Sequence, residues 1–373
     1  MKFTVAVFVV VGVTFCFGYP SREDLLKYGD IWDDDDLSDI VNSGLEEFER
    51  YGDFLDKDEW SLVPQVDGFF QLVNIKQTEE EYKNMPQPLL KMPITFQLHT
   101  RLNPEVPQFV RENSSLTLME SKFDPKRPTR IITHGWMNYA GSKLNLILRK
   151  AILDNCDCNV FIVDWSAGAK TINYLSARYK VPDVAIQLAD FIDFLNLFGK
   201  MKFKDLTLIG HSLGAHASGL AAKKVRRGRV HIIIGLDPAF PLFSYKVTDD
   251  RLTPDDAEYV QTIHTSAGYL GFMEPLGHAS FYPNWGTNQP GCGFDATGKC
   301  AHKRSYLLYG ESLYPNNSFI PFDCLDYFGF LQHSCVLMDR SIRMGGEPAQ
   351  QNYPKGVYYV PTNSESPFGK GGP

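Results

Sequence analysis

The chain has 373 residues, 43% hydrophobic and 22% charged, with a formal net charge of −7. It carries no internal repeat and no nucleic-acid-binding motif, and after its first residues no apolar run is long enough to span a bilayer. Nucleic acid is therefore excluded as a partner, and no transmembrane anchor is expected.

Residues 1–18 read as a secretory signal: Lys2 is the basic region, Val5 to Phe17 the apolar core, and Cys16-Phe17-Gly18 the small-residue cleavage site. Residues 19–61 form an acidic arm. Between 19 and 60 there are fifteen acidic and four basic residues, including Asp33-Asp34-Asp35-Asp36. The arm is read as solvated, with a pro-segment that shields the site as the alternative. No dibasic processing signal follows it.

From 62 to 345 the pattern is that of one large folded domain. Phe69 to Ile75 and Ile94 to Leu102 read as early strands. Asn113-Ser114-Ser115 is a glycosylation sequon in loop-like sequence, as is Asn316-Asn317-Ser318 further on. Thr129 to Thr133 is a strand ending at His134-Gly135-Trp136, Lys143 to Ala151 looks helical, and Asn159 to Asp164 is an apolar strand. Val184 to Leu197 is an amphipathic helix. Strands at Val230 to Leu236 and Tyr259 to His264 follow. Near-continuous Val/Ile/Leu strands alternating with helices mark an α/β domain, its mostly parallel sheet covered on both faces. Residues 346–373 read as a poorly ordered tail rich in Gly, Pro and Ser.

Once Cys16 leaves with the signal, six cysteines remain. Cys292 with Cys300, and Cys324 with Cys335, make natural short loops, while Cys156 and Cys158 are left unpaired. An even number in an exported chain points to disulfides.

The chemistry concentrates at residues 206–216. Leu206 to Ile209 is an apolar strand, Gly210-His211-Ser212-Leu213-Gly214 follows, and Ala215 to Ala222 has helical character. This is a nucleophile elbow, strand then turn then helix, with Ser212 at its tip. A serine hydroxyl needs a histidine to take its proton and a carboxylate to hold that histidine. Asp237 ends the strand after the elbow, at the carboxyl edge of the sheet, where such folds place reactive groups. His302, on what reads as a disulfide-tethered loop, is the preferred base; His264 and His278 compete with it. The backbone N–H groups of Leu213 and Trp136 are the expected oxyanion donors.

With these residues in place, the sequence resembles the pancreatic lipase family of secreted α/β hydrolases from about Met92 to Met344. The marks are Ile131 to Trp136, Val163-Asp164-Trp165, Gly210 to His216, Gly235 to Pro241, Gly277 to Asn284 and Gln289 to Cys292. The look is close to insect lidless lipases and phospholipases A1. By position, the resemblance implies Ser212 as nucleophile, Asp237 as the acid and His302 as the base, with Trp136 and Leu213 at the oxyanion hole. It also implies an α/β-hydrolase fold.

The departures bear on substrate. Only Gly293 to Lys299 lie between Cys292 and Cys300, where family triacylglycerol lipases carry a long amphipathic lid. Seven residues are too few for such a helix. The family's C-terminal β-sandwich is not expected here, and with it goes the usual colipase platform. Arg251 to Asp256 resembles the family's calcium loop, but Thr253 replaces a carboxylate, so no metal or other cofactor is expected. The expectation is a secreted carboxylic-ester hydrolase of phospholipase A1 type, acting on lipid at a membrane or micelle surface. Alternatives are a lidless neutral triacylglycerol lipase or galactolipase, and a non-catalytic lipid-binding or yolk-like protein on the same fold.

Overall fold

The structure, a computed structural model, describes residues 60–65, 70–84, 91–316, 318–337, 341–347 and 353–371. The expected signal and nearly all of the acidic arm lie outside the described residues. The arm's expected end at 61 is corrected, because Trp60 and Ser61 already belong to a hairpin of β1 (Trp60–Pro64) and β2 (Phe70–Asn74).

A ten-stranded sheet organises the rest. Its members are β3 (Thr95–His99), β4 (Gln108–Val110), β5 (Thr129–Thr133), β6 (Asn159–Asp164), β7 (Leu206–His211), β8 (Ile232–Leu236), β9 (Tyr259–Ile263), β10 (Ala279–Pro283), β11 (Phe322–Asp323) and β12 (Gly356–Val360). They lie in the order β11-β12-β10-β9-β8-β7-β5-β6-β3-β4. The pairs from β6 across to β12 are parallel; β3, β4 and β11 add antiparallel edges. This is the α/β-hydrolase fold the sequence led us to expect.

Both sheet faces are covered, which is why the strands read as unbroken apolar runs. On one face α2 (Tyr174–Leu197) packs with α3 (Leu213–Lys224) over Ile131, Leu208 and Ile233; on the other, α1 (Lys143–Asn155) packs with α4 (Lys299–Ser312) over Ile132, Ile209 and Ile234. Successive residues of each strand thus serve opposite layers. Helix α2 begins at Tyr174 rather than Val184 and runs through Pro182, with the Asn173 side chain accepting from the Ser176 N–H as cap.

The expectation of a loose tail over 346–373 is corrected. Val357, Tyr358 and Val360 of β12 are buried between β10 and β11, and the Gly356 N–H donates to the His278 carbonyl at 2.8 Å. Glycine and proline on either side of this Val-Tyr-Tyr-Val run hid it. Among the described residues there are three disulfides: Cys292–Cys300 and Cys324–Cys335 as the loop lengths suggested, and Cys156–Cys158, which sequence alone left unpaired.

Candidate active site

The elbow is built by two glycines that tolerate no side chain. A Cβ on Gly210 would fall 2.3 Å from the Gly214 carbonyl oxygen, and one on Gly214 only 2.1 Å from that of Thr133. Strand β7 therefore runs tight against the start of α3, and Ser212 takes the whole turn. Its φ is 56° and ψ −125°, a left-handed conformation that side chains avoid, held by the Ser212 N–H donating to the Leu236 carbonyl at 3.0 Å. Strain of this kind projects the hydroxyl above the sheet.

Asp237 follows β8 and is fully buried, also at positive φ, 43°. Its Oδ1 accepts from the backbone N–H groups of Thr265 at 2.7 Å and Ser266 at 3.1 Å. Its Oδ2 accepts from His302 Nδ1 at 2.5 Å. A carboxylate so held has one oxygen fixed by the backbone and the other aimed at the imidazole. Gly271 makes room for it, since a Cβ there would lie 2.4 Å from Oδ1.

His302 is on the first turn of α4, not on a loop; that expectation is corrected. Asp295 Oδ2 accepts from the Ala301 N–H at 2.7 Å, and the helix starts after Gly298 in a left-handed conformation. The glycines and cysteines of 291–300 disguised this start. His302 lines one cleft together with Ser212 and Trp136.

The competing histidines hold other posts. His264 contacts the Phe272 carbonyl at 2.9 Å and Thr262 Oγ1 at 2.8 Å, and burial pushes its pKa down to about 4. His278 Nδ1 accepts from the Val260 N–H at 3.1 Å.

Of the two residues expected to donate to an oxyanion, Leu213 follows Ser212 directly and Trp136 lines the same cleft. Leu213 is the first residue of α3. The turn carrying Trp136 presses on Ser212: a Cβ on Gly135 would lie 2.7 Å from Ser212 Cβ. Trp136 Nε1 donates to the Thr171 carbonyl at 2.6 Å, and Trp165 Nε1 to that of His134 at 2.8 Å, which fixes the turn. Three participants escaped sequence reasoning. Gly271 has no local signal. Pro64 brings the hairpin to the cleft. The His211 ring lies 4.5 Å from that of His302; burial, and then His302 itself, hold His211 well below the usual histidine range, so it stays neutral there.

The segment resembling a calcium loop fits no divalent cation. Lys223 Nζ pairs with Asp256 Oδ1 and donates to Thr253 Oγ1 at 3.1 Å. Thr253 adds two more donors to Asp256, its hydroxyl to Oδ1 and its N–H to Oδ2. An internal ammonium thus satisfies the carboxylate that a metal would need. Among the described residues, the two groups of three candidate ligands each contain a disulfide pair, so they offer no thiolate.

A parallel sheet carrying a strained Gly-x-Ser-x-Gly elbow, with a buried aspartate–histidine pair at its carboxyl edge, defines an α/β hydrolase by construction. The chain belongs to the Lipase family, whose model matches residues 65–368. It is 38% identical to lipase member H of Oryctolagus cuniculus over 246 residues, 64% of this chain and 53% of that protein. To a phospholipase A1 of Vespula vulgaris it is 35% identical over 268 residues, 65% of this chain and 74% of that protein. To the pancreatic triacylglycerol lipase of Cavia porcellus it is 30% identical over 310 residues, 77% and 63% of the two chains. The chain spans about half the length of the lipase member H proteins it matches. Among the described residues, no helix is long and apolar enough to cross a membrane.

Proposed function

We propose that the chain is a secreted carboxylic-ester hydrolase that releases the sn-1 fatty acid of phospholipids. The observation that carries this reading is the buried Asp237–His302 bond in the cleft that also holds Ser212. Ser212 Oγ attacks the ester carbonyl while His302 Nε2 takes its proton. The tetrahedral oxyanion is received by the N–H groups of Leu213 and Trp136. His302 hands the proton to the departing lysophospholipid oxygen, leaving an acyl-serine. Water, deprotonated by His302, then attacks the acyl carbon and frees the acid and Ser212. Asp237 keeps Nδ1 protonated so that Nε2 is the basic nitrogen.

The phospholipid preference draws on the cleft mouth and on the wasp phospholipase A1 similarity. Between Cys292 and Cys300, residues 293–298 form neither helix nor strand, and helix begins at Lys299. A headgroup therefore meets no helical cover from this loop. A lidless triacylglycerol lipase is the second reading, favoured by the longer match to the Cavia porcellus enzyme. Export agrees with three disulfides, and glycosylation at Asn113 and Asn316 with the exposure of both. The test uses a phosphatidylcholine with different sn-1 and sn-2 chains beside triolein, products identified by mass spectrometry. Release of the sn-1 acid, with triolein turned over far more slowly, is the expected result; preferential triolein hydrolysis overturns it.

Calcium should play no part. Chelator is expected to leave the melting temperature and rate unchanged, whereas Lys223→Ala should destabilise the fold by about 2 kcal/mol, because it strands the Asp256 carboxylate. A chelator-induced fall in melting temperature would refute this.

A further inference from the structure

The loop after β9, residues 264–272, holds the far oxygen of Asp237. Thr265 and Ser266 donate their N–H groups to Oδ1, and Gly271 leaves the carboxylate its space. Backbone bonds shape the loop. The Tyr269 and Gly271 N–H groups donate to the Ser266 carbonyl at 3.1 and 2.9 Å, and the Phe272 N–H donates to the Pro238 carbonyl at 2.9 Å. Whatever fixes the two ends of this loop also fixes the direction in which Oδ2 points.

His264 joins those ends. Its Nδ1 lies 2.9 Å from the Phe272 carbonyl oxygen, eight residues on. A carbonyl oxygen only accepts, so Nδ1 carries the proton and Nε2 is left as an acceptor. Thr262 Oγ1, 2.8 Å from Nε2, donates to it. The Thr262 oxygen in turn accepts from the Ser280 hydroxyl at 2.8 Å, across the β9–β10 register, and Ser280 Oγ accepts from the Gly277 N–H at 3.3 Å. The protons run one way, from Gly277 through Ser280, Thr262 and His264 to Phe272. Thr262, His264 and Ser280 are fully buried, and the imidazole lies flat on the Tyr282 ring with centroids 4.6 Å apart. A ring that donates at one nitrogen and accepts at the other must be neutral. Burial keeps it so, against the pull of Asp237. A neutral ring does not compete with His302 for the Asp237 charge.

On the reading that Ser212, His302 and Asp237 react as a triad, we propose that His264 is a positioning residue: by clamping the ends of the 264–272 loop it fixes the two N–H groups that aim Asp237 at His302. Without the clamp, Asp237 rocks on its backbone donors and stabilises the His302 imidazolium less well as Ser212 attacks. Gln289 Nε2 also donates to the Thr265 carbonyl, at 3.1 Å, so loss of the clamp loosens the loop without releasing it.

Leu270, in the same loop, lines the cleft, so the test uses p-nitrophenyl acetate, an ester too short to need that wall. His264→Leu fills the space and removes both hydrogen bonds of the ring. Its kcat is expected to fall about thirtyfold, the effect of weakening a hydrogen bond to a charged group. In His264→Asn an amide N–H stands where Nδ1–H stands, and the rate should return to within about threefold of wild type. Thr262→Val, which leaves His264 itself in place, should lose about fivefold. The proton shared by His302 Nδ1 and Asp237 Oδ2, 2.5 Å apart, gives a downfield proton resonance. It should broaden or move upfield in His264→Leu and Thr262→Val and stay in place in His264→Asn, a pattern that lost stability alone does not produce. Equal loss in the folded Leu and Asn variants, or a resonance indifferent to all three substitutions, overturns the positioning role. The nitrogen-15 spectrum of the wild type needs no variant to fold: His264 should be neutral with its proton on Nδ1, and a proton on Nε2 overturns the clamp. Fluorophosphonate labelling of the wild type keeps the two readings apart. A chain that labels at Ser212 but ignores His264 loses the positioning alone, whereas one that does not label loses the triad and the positioning with it.

Discussion

Ser212→Ala is expected to lower the rate of ester hydrolysis by about 10⁶-fold, the magnitude associated with removing the serine of an assembled triad. The substitution deletes one oxygen and leaves Cβ in place, so the backbone at φ 56° is no more strained than before. The Ser212 N–H bond to Leu236 and the packing of Gly135 on Cβ also persist. Stability should therefore change little while chemistry is lost. The residual rate belongs to the oxyanion donors and to substrate binding, which the change does not touch. Steady-state kinetics give the rate, and a fluorophosphonate probe gives the site: wild type labels at Ser212 and the variant does not. Labelling or turnover that persists in the variant would place the nucleophile elsewhere and remove the proposed mechanism. A wild-type chain that neither labels nor turns over lipid would favour the non-catalytic binding protein.

Asp237→Asn should lower kcat by about 10⁴-fold with KM nearly unchanged. The structure gives the reason. Thr265 and Ser266 both donate N–H groups to Oδ1, so an asparagine there must turn its carbonyl oxygen toward them. Its NH₂ group then faces His302 Nδ1, at the position where Oδ2 now accepts. Two donors cannot share that bond. His302 is driven to the tautomer with the proton on Nε2, and that nitrogen can no longer accept the Ser212 proton. The loss should fall on the acylation rate, with the melting temperature only slightly lowered, because the amide fills the same space. The nitrogen-15 spectrum of His302 would show the tautomer directly. A rate within tenfold of wild type would mean that the Asp237–His302 bond is not part of the reaction.

Much of this site was legible without coordinates, and what was legible shares one property. The elbow is a local device: five consecutive residues between a strand and a helix, in which two glycines are dictated by contacts with neighbours along the same turn and the adjacent strand end. The strands showed for the same reason. Ile131 with Ile132, and Leu208 with Ile209, must both be apolar because each faces a covered layer, and that need is written in consecutive letters. The end of β8 placed Asp237 by the same logic.

The choice among His264, His278 and His302 was of another kind. Spacing favoured His302 only slightly, and family resemblance made the choice firm; the physical ground is a bond spanning 65 residues. Gly271 matters because a carboxylate 34 positions away needs its missing side chain. The β12 strand and the helix that starts at Lys299 were masked by glycines and prolines whose turn signals outweighed short apolar runs.

The sequence by itself determined the layered α/β sheet, the elbow with Ser212 at its tip and the place of Asp237 at the end of β8, because periodicity and turn chemistry act over a few residues. Only the tertiary structure decided that His302 meets Asp237 and that Lys223 satisfies Asp256. Those are contacts between distant segments, and their energies depend on distance and burial that no local pattern encodes.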